Sequence, residues 1–209
     1  MATASQSLFN MAVATDVAGG NQGLLMPKLQ FRFRVLFINF GADAGSGLNL
    51  TKQVIDVSRP NVSFAEITVP VYNSTIYLAG KHTWNTMTVN VRDDASGTVA
   101  RAVGEQLQKQ LDFVEQASAV SGQDYKFQLN IEVLDGGNGA SAPAVLEAWE
   151  LYGCFLQGVN YNNLNYGTSE VVQIGLTVRY DNAIQAPLGS GIGTAVGRTF
   201  GDIATGIGD

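Results

Sequence analysis

Within Tyr125 to Leu134 residue types alternate without a break as far as Val133: Phe127, Leu129, Ile131 and Val133 interleave with Lys126, Gln128, Asn130 and Glu132. Successive side chains of a strand point to opposite faces, so a period of two fits a sheet with one dry and one wet face. A helix, with 3.6 residues per turn, cannot gather those apolar groups on one side. The chain must therefore supply further strands to complete that sheet and cover its dry face.

Other segments meet this demand. Over Gln30 to Phe40, Phe31, Phe33, Val35 and Phe37 alternate with Arg32 and Arg34, and both faces turn apolar after Leu36. Glycine-rich 41–47 reads as a turn, and Thr51 to Val57 as a second strand broken by Ser58-Arg59-Pro60-Asn61. Phe64 to Pro70, Tyr72 to Leu78 and Thr83 to Arg92 read as strands, as do Val145 to Val159 and Glu170 to Tyr180. Asp135-Gly136-Gly137-Asn138-Gly139 marks a turn, and the Asn-rich stretch 160–165 a connection.

One helix is expected, over Ser96 to Gln116. Asp94 or Ser96 can cap it, and Val99, Val103, Leu107, Leu111 and Val114 recur at three- and four-residue steps. Asp93-Asp94 sits where the positive end of the helix dipole favours acids. These elements predict a mainly β fold, an antiparallel barrel or sandwich with one flanking α-helix over residues 30–182. Residues 1–29 read as an N-terminal arm and 183–209 as a Gly-rich C-terminal tail. In that tail Gly189, Gly193, Gly197 and Gly201 fall at four-residue steps, with apolar residues at helical spacing beside them. It is either a flexible tail or a helix that forms only against a neighbouring subunit, where a glycine stripe lets backbones approach.

Composition narrows the function. Among 209 residues, 45% are apolar and only 14% charged, against a usual charged share of roughly 25%, as for a surface largely covered by other protein. The net charge of -6 is uneven: residues 1–104 hold 8 Lys/Arg and 6 Asp/Glu (+2), and residues 105–209 hold 4 and 12 (-8). An acidic second half argues against a protein that grips nucleic acid. Cys154 is the sole cysteine, which excludes an intrachain disulfide. No run approaches the roughly 18 apolar residues of a membrane helix, and Met1 to Gly23 lacks a basic leader. A soluble protein made and kept in a cytoplasm is the expectation.

Chemistry is sparse. His82, the only histidine, is placed in a turn beside Lys81 with no acid–base partner in view. Zinc would lack a second imidazole. Cys154 reads as a small buried hydrophobe, and Gly191 to Gly197 is one residue too long for a dinucleotide loop. No catalytic residue, cofactor or metal is predicted, and an enzyme is not expected.

The stretch Val57 to Asp94, above all Ile76-Tyr-Leu-Ala-Gly80-Lys-His-Thr83-Trp84-Asn-Thr-Met-Thr88-Val-Asn-Val91-Arg-Asp93-Asp94, resembles the tail tube subunits of myovirus-type contractile bacteriophages. The order of elements agrees over residues 28–182. The resemblance implies a structural protein whose hexameric rings stack into a hollow tube inside a contractile sheath, with strands joining between subunits. About four strands from each of six copies, ~4.8 Å apart and tilted ~40°, give a wall roughly 150 Å around, ~48 Å across. The implied partners are further copies of itself, the sheath, baseplate and tail terminator proteins, and double-stranded DNA in transit without specific binding. No membrane partner is implied, and the place is the virion tail, after assembly in the host cytoplasm.

The segment Ser58 to Leu78 corresponds to the family's extended loop between rings, so Ser58, Arg59, Pro60, Asn73, Ser74 and Tyr77 are its contact residues. Lumen-lining candidates are Asp124, Glu132, Glu150 and Glu170, from the polar faces of 125–134 and 170–180 and the acids nearby. These carboxylates serve equally well on the outer wall. Gly189, Gly193, Gly197 and Gly201 form the tail's packing stripe. Two alternatives stay open: the tube of a non-phage machine (pyocin, secretion system or extracellular injector), and a monomeric β-barrel that binds a small ligand.

Overall fold

A computed structural model describes residues 28–42, 46–135, 143–167 and 169–186. The chain divides into two units, 1–32 and 33–209. The described end of the first is a turn in which the Arg32 amide donates to the Leu29 carbonyl.

The second unit is mainly antiparallel β, as the alternation predicts. Its strands are β1 (Phe33–Ile38), β2 (Val54–Val57), β3 (Val62–Val71), β4 (Ser74–Trp84), β5 (Met87–Arg92), β6 (Leu111–Asp112), β7 (Ala117–Ser118), β8 (Phe127–Leu134), β9 (Val145–Asn160), β10 (Gln173–Arg179) and β11 (Asn182–Ala186). Helices are α1 (Ser46–Lys52), α2 (Thr98–Gln110) and α3 (Gly122–Tyr125). Strands pair in the order β1-β8-β9-β10-β5-β2, with β11 also on β9.

The 16-residue β9 makes two leaves of this sheet. Its first half pairs β8 and β11, and its second half pairs β10. The change falls at Gly153, whose φ of +66° belongs to the left-handed region that favours glycine. Opposite it, the register steps from Leu129↔Leu151 to Phe127↔Cys154, three residues against two. Such a bulge inverts which residues face inward, so Leu151 and then Cys154 and Leu156 enter the same core. Val35, Phe37, Leu129 and Ile131 from the first leaf meet Val89, Val91, Leu176 and Val178 from the second.

α2 closes one side with Val99, Ala102 and Val103 buried. Its N-cap is Gly97, at a φ of 68° and with no side-chain cap bond, rather than the expected Asp94 or Ser96; Asp94 still accepts from the Val99 amide at 3.2 Å and from the Thr98 hydroxyl at 2.6 Å. Its end also departs from expectation. The helix stops at Gln110, six residues short, because that side chain turns to the exposed edge of β9. Gln110 donates to the Leu156 carbonyl and accepts from the Leu156 amide, both at 2.9 Å, as a neighbouring strand would. Gln106, fully buried, binds the Gly41 amide and the Tyr125 carbonyl.

Other boundaries differ too. The residues up to Lys52 are helical rather than extended, because Leu50 is needed in the core. Gly47 passes so close to β1 that a Cβ there would lie 2.4 Å from the Phe37 carbonyl oxygen. The expected strand over Thr83 to Arg92 is broken at Asn85-Thr86, where the chain leaves a projecting hairpin and joins the second leaf. Finally, β11 carries the first leaf on to Ala186, beyond the expected edge of the domain. Among the described residues no helix is long and apolar enough to cross a membrane.

Candidate assembly surfaces

β3 and β4 pair only with each other and project as an arm, with nearly every side chain exposed. At ~3.3 Å per residue, a ten-residue strand reaches ~33 Å. The pairs Ile67↔Leu78, Val69↔Ile76 and Val71↔Ser74 put five aliphatics on one face. The pairs Glu66↔Ala79, Thr68↔Tyr77 and Pro70↔Thr75 form the other, polar face. At the root of the arm, on the face that carries Glu66, a ladder of rings leads into the core: Phe64 to His82 at 6.3 Å, His82 to Trp84 at 6.2 Å, Trp84 to Tyr180 at 5.7 Å. Tyr180 is a core residue, whose phenol burial pushes up in pKa. All five aliphatics of the arm are exposed. His82 is a rung of this ladder, not a turn residue.

Of the six predicted contact residues, three lie on this hairpin and three in the segment leading into it. Ser58, Arg59 and Pro60 sit at its root; Asn73 and Ser74 at its tip; Tyr77 on the polar face. Ser58 extends β2 by trading bonds with Thr88. Arg59 lies 3.8 Å from the buried carboxylate of Glu147, which also accepts from Trp149 Nε1 at 2.8 Å. At the tip Tyr72 takes a φ of 40° and is fully exposed.

A second protrusion follows from the early end of α2. β6 and β7 form a short ribbon whose turn is held by Asp112, accepting from the Val114 and Glu115 amides. Those bonds hold the Asp112 carboxyl below its usual pKa. Phe113 and Val114 are left exposed at its tip. Val114 was expected on the helix stripe; only a signal for the stop at Gln110 would have revealed it.

The four carboxylates named as lumen candidates lie in three different parts of the described chain. The register sets rows across the outer face of the first leaf: Leu36, Asn130, Glu150 and Ile184 in one, Arg34, Glu132, Ala148 and Ala186 in the next. Glu132 and Glu150 are therefore neighbours. Both are engaged: Arg34 Nε donates to Glu132 at 2.7 Å, and the Tyr152 hydroxyl donates to Glu150. Burial, then Glu150, pushes the Tyr152 pKa up to about 12. Asp124 lies off the sheets in α3, in a capping box with Ser121. Glu170 sits in the 161–172 connection, where Asn162, Leu164, Tyr166 and Val172 help to line a pocket of about 420 Å³. The polar faces of β8 and β10 belong to different leaves over one core, so they look outward in different directions. The glycine stripe 189–201 and the arm up to residue 27 lie outside the described residues.

Cys154 is buried, as expected, and burial pushes its thiol up to about 12. Among the described residues no group of acids, histidine and cysteine could hold a metal ion.

No protein-family model and no curated protein sequence matches the chain. Solved structures do match in fold. A chain of the sheath–tube complex of PVC, an extracellular contractile injection system, in its extended state is 13% identical with a TM-score of 0.56. That match covers 79% of this chain and 95% of that one. A chain of the anti-feeding prophage baseplate is 15% identical (TM-score 0.55; 78% and 97% covered). One from the tube-terminating cap of the same particle is 11% identical (TM-score 0.56; 82% and 98%). The class the fold defines is thus the antiparallel β fold found in contractile injection machines.

Proposed function

We propose that this chain is the tube subunit of a contractile injection machine: a structural protein, not an enzyme, whose copies form hexameric rings stacked inside a sheath. The observation that carries the reading is the β3–β4 arm, which pairs with no other described strand and leaves a row of five aliphatics exposed on one face. A lone soluble domain would gain nothing from exposing such a face, whereas a subunit gains its neighbour. The terminal strands β1 and β2 support the same reading, since among the described residues each has a backbone edge open to further pairing.

Sheath, baseplate and terminator proteins are the implied partners, in line with the assemblies from which the similar folds come. Within this class the stretch from Val57 to Asp94 favours a phage tail tube, hence a virion location and DNA in transit. The likeness to chains of PVC and the anti-feeding prophage favours an extracellular injector. Capsid and terminase genes beside the coding sequence would decide for the phage, and toxin genes for the injector.

Negative-stain microscopy and sedimentation of the purified protein test the proposal. Rings or fibres that grow with concentration or after seeding agree with it. A monomer at every concentration, even when seeded, refutes it and revives the ligand-binding barrel.

A further inference from the structure

The outer face of the second leaf is built unlike the rest of the surface. β5 and β10 lie at its centre, and the register lays their outward residues in rows. One row is Asp56, Asn90, Gly175 and Asn160; the next is Thr88, Thr177 and Gly158. Arg92 stands opposite Gln173 at one end, and Arg179 beside Phe155 at the other. No outward position of β5 or β10 is aliphatic. Gly158 and Gly175 leave bare backbone mid-face, and a Cβ on Gly175 would press on Asn90 Oδ1 at 3.2 Å. The first leaf's outer face differs, since Leu36, Ile38 and Ile184 interrupt its polar rows.

Charge is also distinctive. Asp56 is held by Asn90 Nδ2 at 2.9 and 3.1 Å. Among the described residues neither Arg92 nor Arg179 has an ion-pair partner. Two arginines less one aspartate leave the paired rows at +1 per chain, although the whole chain is at -6. Asp93, just past β5, is turned to the Asp94 amide. Glu170 lies beyond the rows, in the connection before β10.

We propose that this face is the wall of the bore, and that its positive potential suits an acidic polypeptide as cargo. The inference rests on the tube reading above. A moving cargo is retarded by apolar contact, and apart from the half-buried Phe155 at one end the rows offer hydroxyls, amides and bare glycine, which give little of it. Arginines repeated around a channel focus their field along it, raising the local concentration of anionic cargo. A duplex would meet the same arginines with a dense row of phosphates, release counterions and be held. A polypeptide with sparser carboxylates is drawn in and let go. The first leaf, with aliphatics in its rows, is left to face protein.

The test places Thr177→Cys in assembled tubes, with Cys154 silent because it is buried. Anionic and cationic methanethiosulfonates of equal size are compared, with the unassembled chain as reference. A bore potential of only about one kT makes the anionic reagent about sevenfold faster. Arg92→Gln with Arg179→Gln should bring that ratio to one or below; if the pair blocks assembly, each single change should lower it. A ratio at or below one with both arginines present overturns the proposal. So does a polymer-linked maleimide wider than the bore that labels tubes as fast as free chains. For cargo, tubes loaded with an acidic fluorescent protein or a short duplex are washed with rising salt. The protein should leave at low salt and the duplex only at high salt; a duplex that leaves as readily overturns the assignment. A chain that never forms tubes shows this in the micrographs, before any labelling, and removes the tube reading along with the inference.

Discussion

Replacing Ile76 and Leu78 together by aspartate should leave the subunit folded and abolish its assembly. The two side chains are 51% and 52% exposed on the arm. Full burial of such a side chain contributes about 1.5–3 kcal/mol, so roughly half, about 1 kcal/mol each, has yet to be gained when the arm docks. The double change removes about 2 kcal/mol per subunit from every arm contact. It also puts two carboxylates into a docked apolar face, adding several kcal/mol more. In the free subunit the same positions face water, and the cost is a strand-propensity difference of up to about 1 kcal/mol each. The chain should keep its circular dichroism spectrum and lose at most about 8 °C in Tm. Sedimentation at concentrations where the wild type forms rings or fibres should then show only monomer. Assembly at the wild-type concentration would refute the argument that the aliphatic face is a contact. Unfolding of the variant would refute it from the other side, by showing that the face stabilises its own subunit.

Three further outcomes follow from the same geometry. Gly153→Ala forces a left-handed backbone on alanine and sets its Cβ 2.2 Å from Asp181 Oδ2. A loss of about 1–3 kcal/mol in denaturant unfolding is expected, part of it recovered when Asp181 is also alanine. Gln110→Ala removes both bonds to Leu156 and leaves a strand edge unpartnered, a loss of about 1–3 kcal/mol, with faster exchange of the Leu156 amide. The Asp94 carboxyl is lowered to about 2 by the Ser96 and Thr98 hydroxyls and by the α2 amides, so its contribution is complete above the unfolded value near 3.9. That contribution fades as pH falls from about 4 through 2, read as fraying of α2 by NMR, and Asp94→Asn should flatten the acid response.

The fold was legible where one face of an element is wet and the other dry. β8 alternates residue by residue, and α2 shows its stripe through Val99, Val103 and Leu107. Legibility failed where a tertiary contact outweighs local pattern. Nothing in Leu111 to Val114 says that Gln110 will leave the helix to bond β9, because that acceptor lies 46 residues away. α1 is short and poor in helix formers, and it stands because Leu50 is buried. The spacing of Leu151, Cys154 and Leu156 carries the mark of the Gly153 bulge, visible once a glycine is seen to break the alternation. The arm was legible as a segment, since Pro60 and Pro70 bracket a run with little charge. Its ring ladder was not, because His82 and Phe64 meet only through the strand register. The carboxylates could be read only as wet, because alternation tells which residues are wet and not which leaf they belong to.

Cryo-electron microscopy of the assembled tube, at a detail that resolves side chains, tests the central claim most directly. The account predicts six-fold rings in which Ile67, Val69, Val71, Ile76 and Leu78 of each arm lie against a neighbouring copy. Arms standing free in solvent, or folded back over their own subunit while the rings hold together by other surfaces, would contradict it.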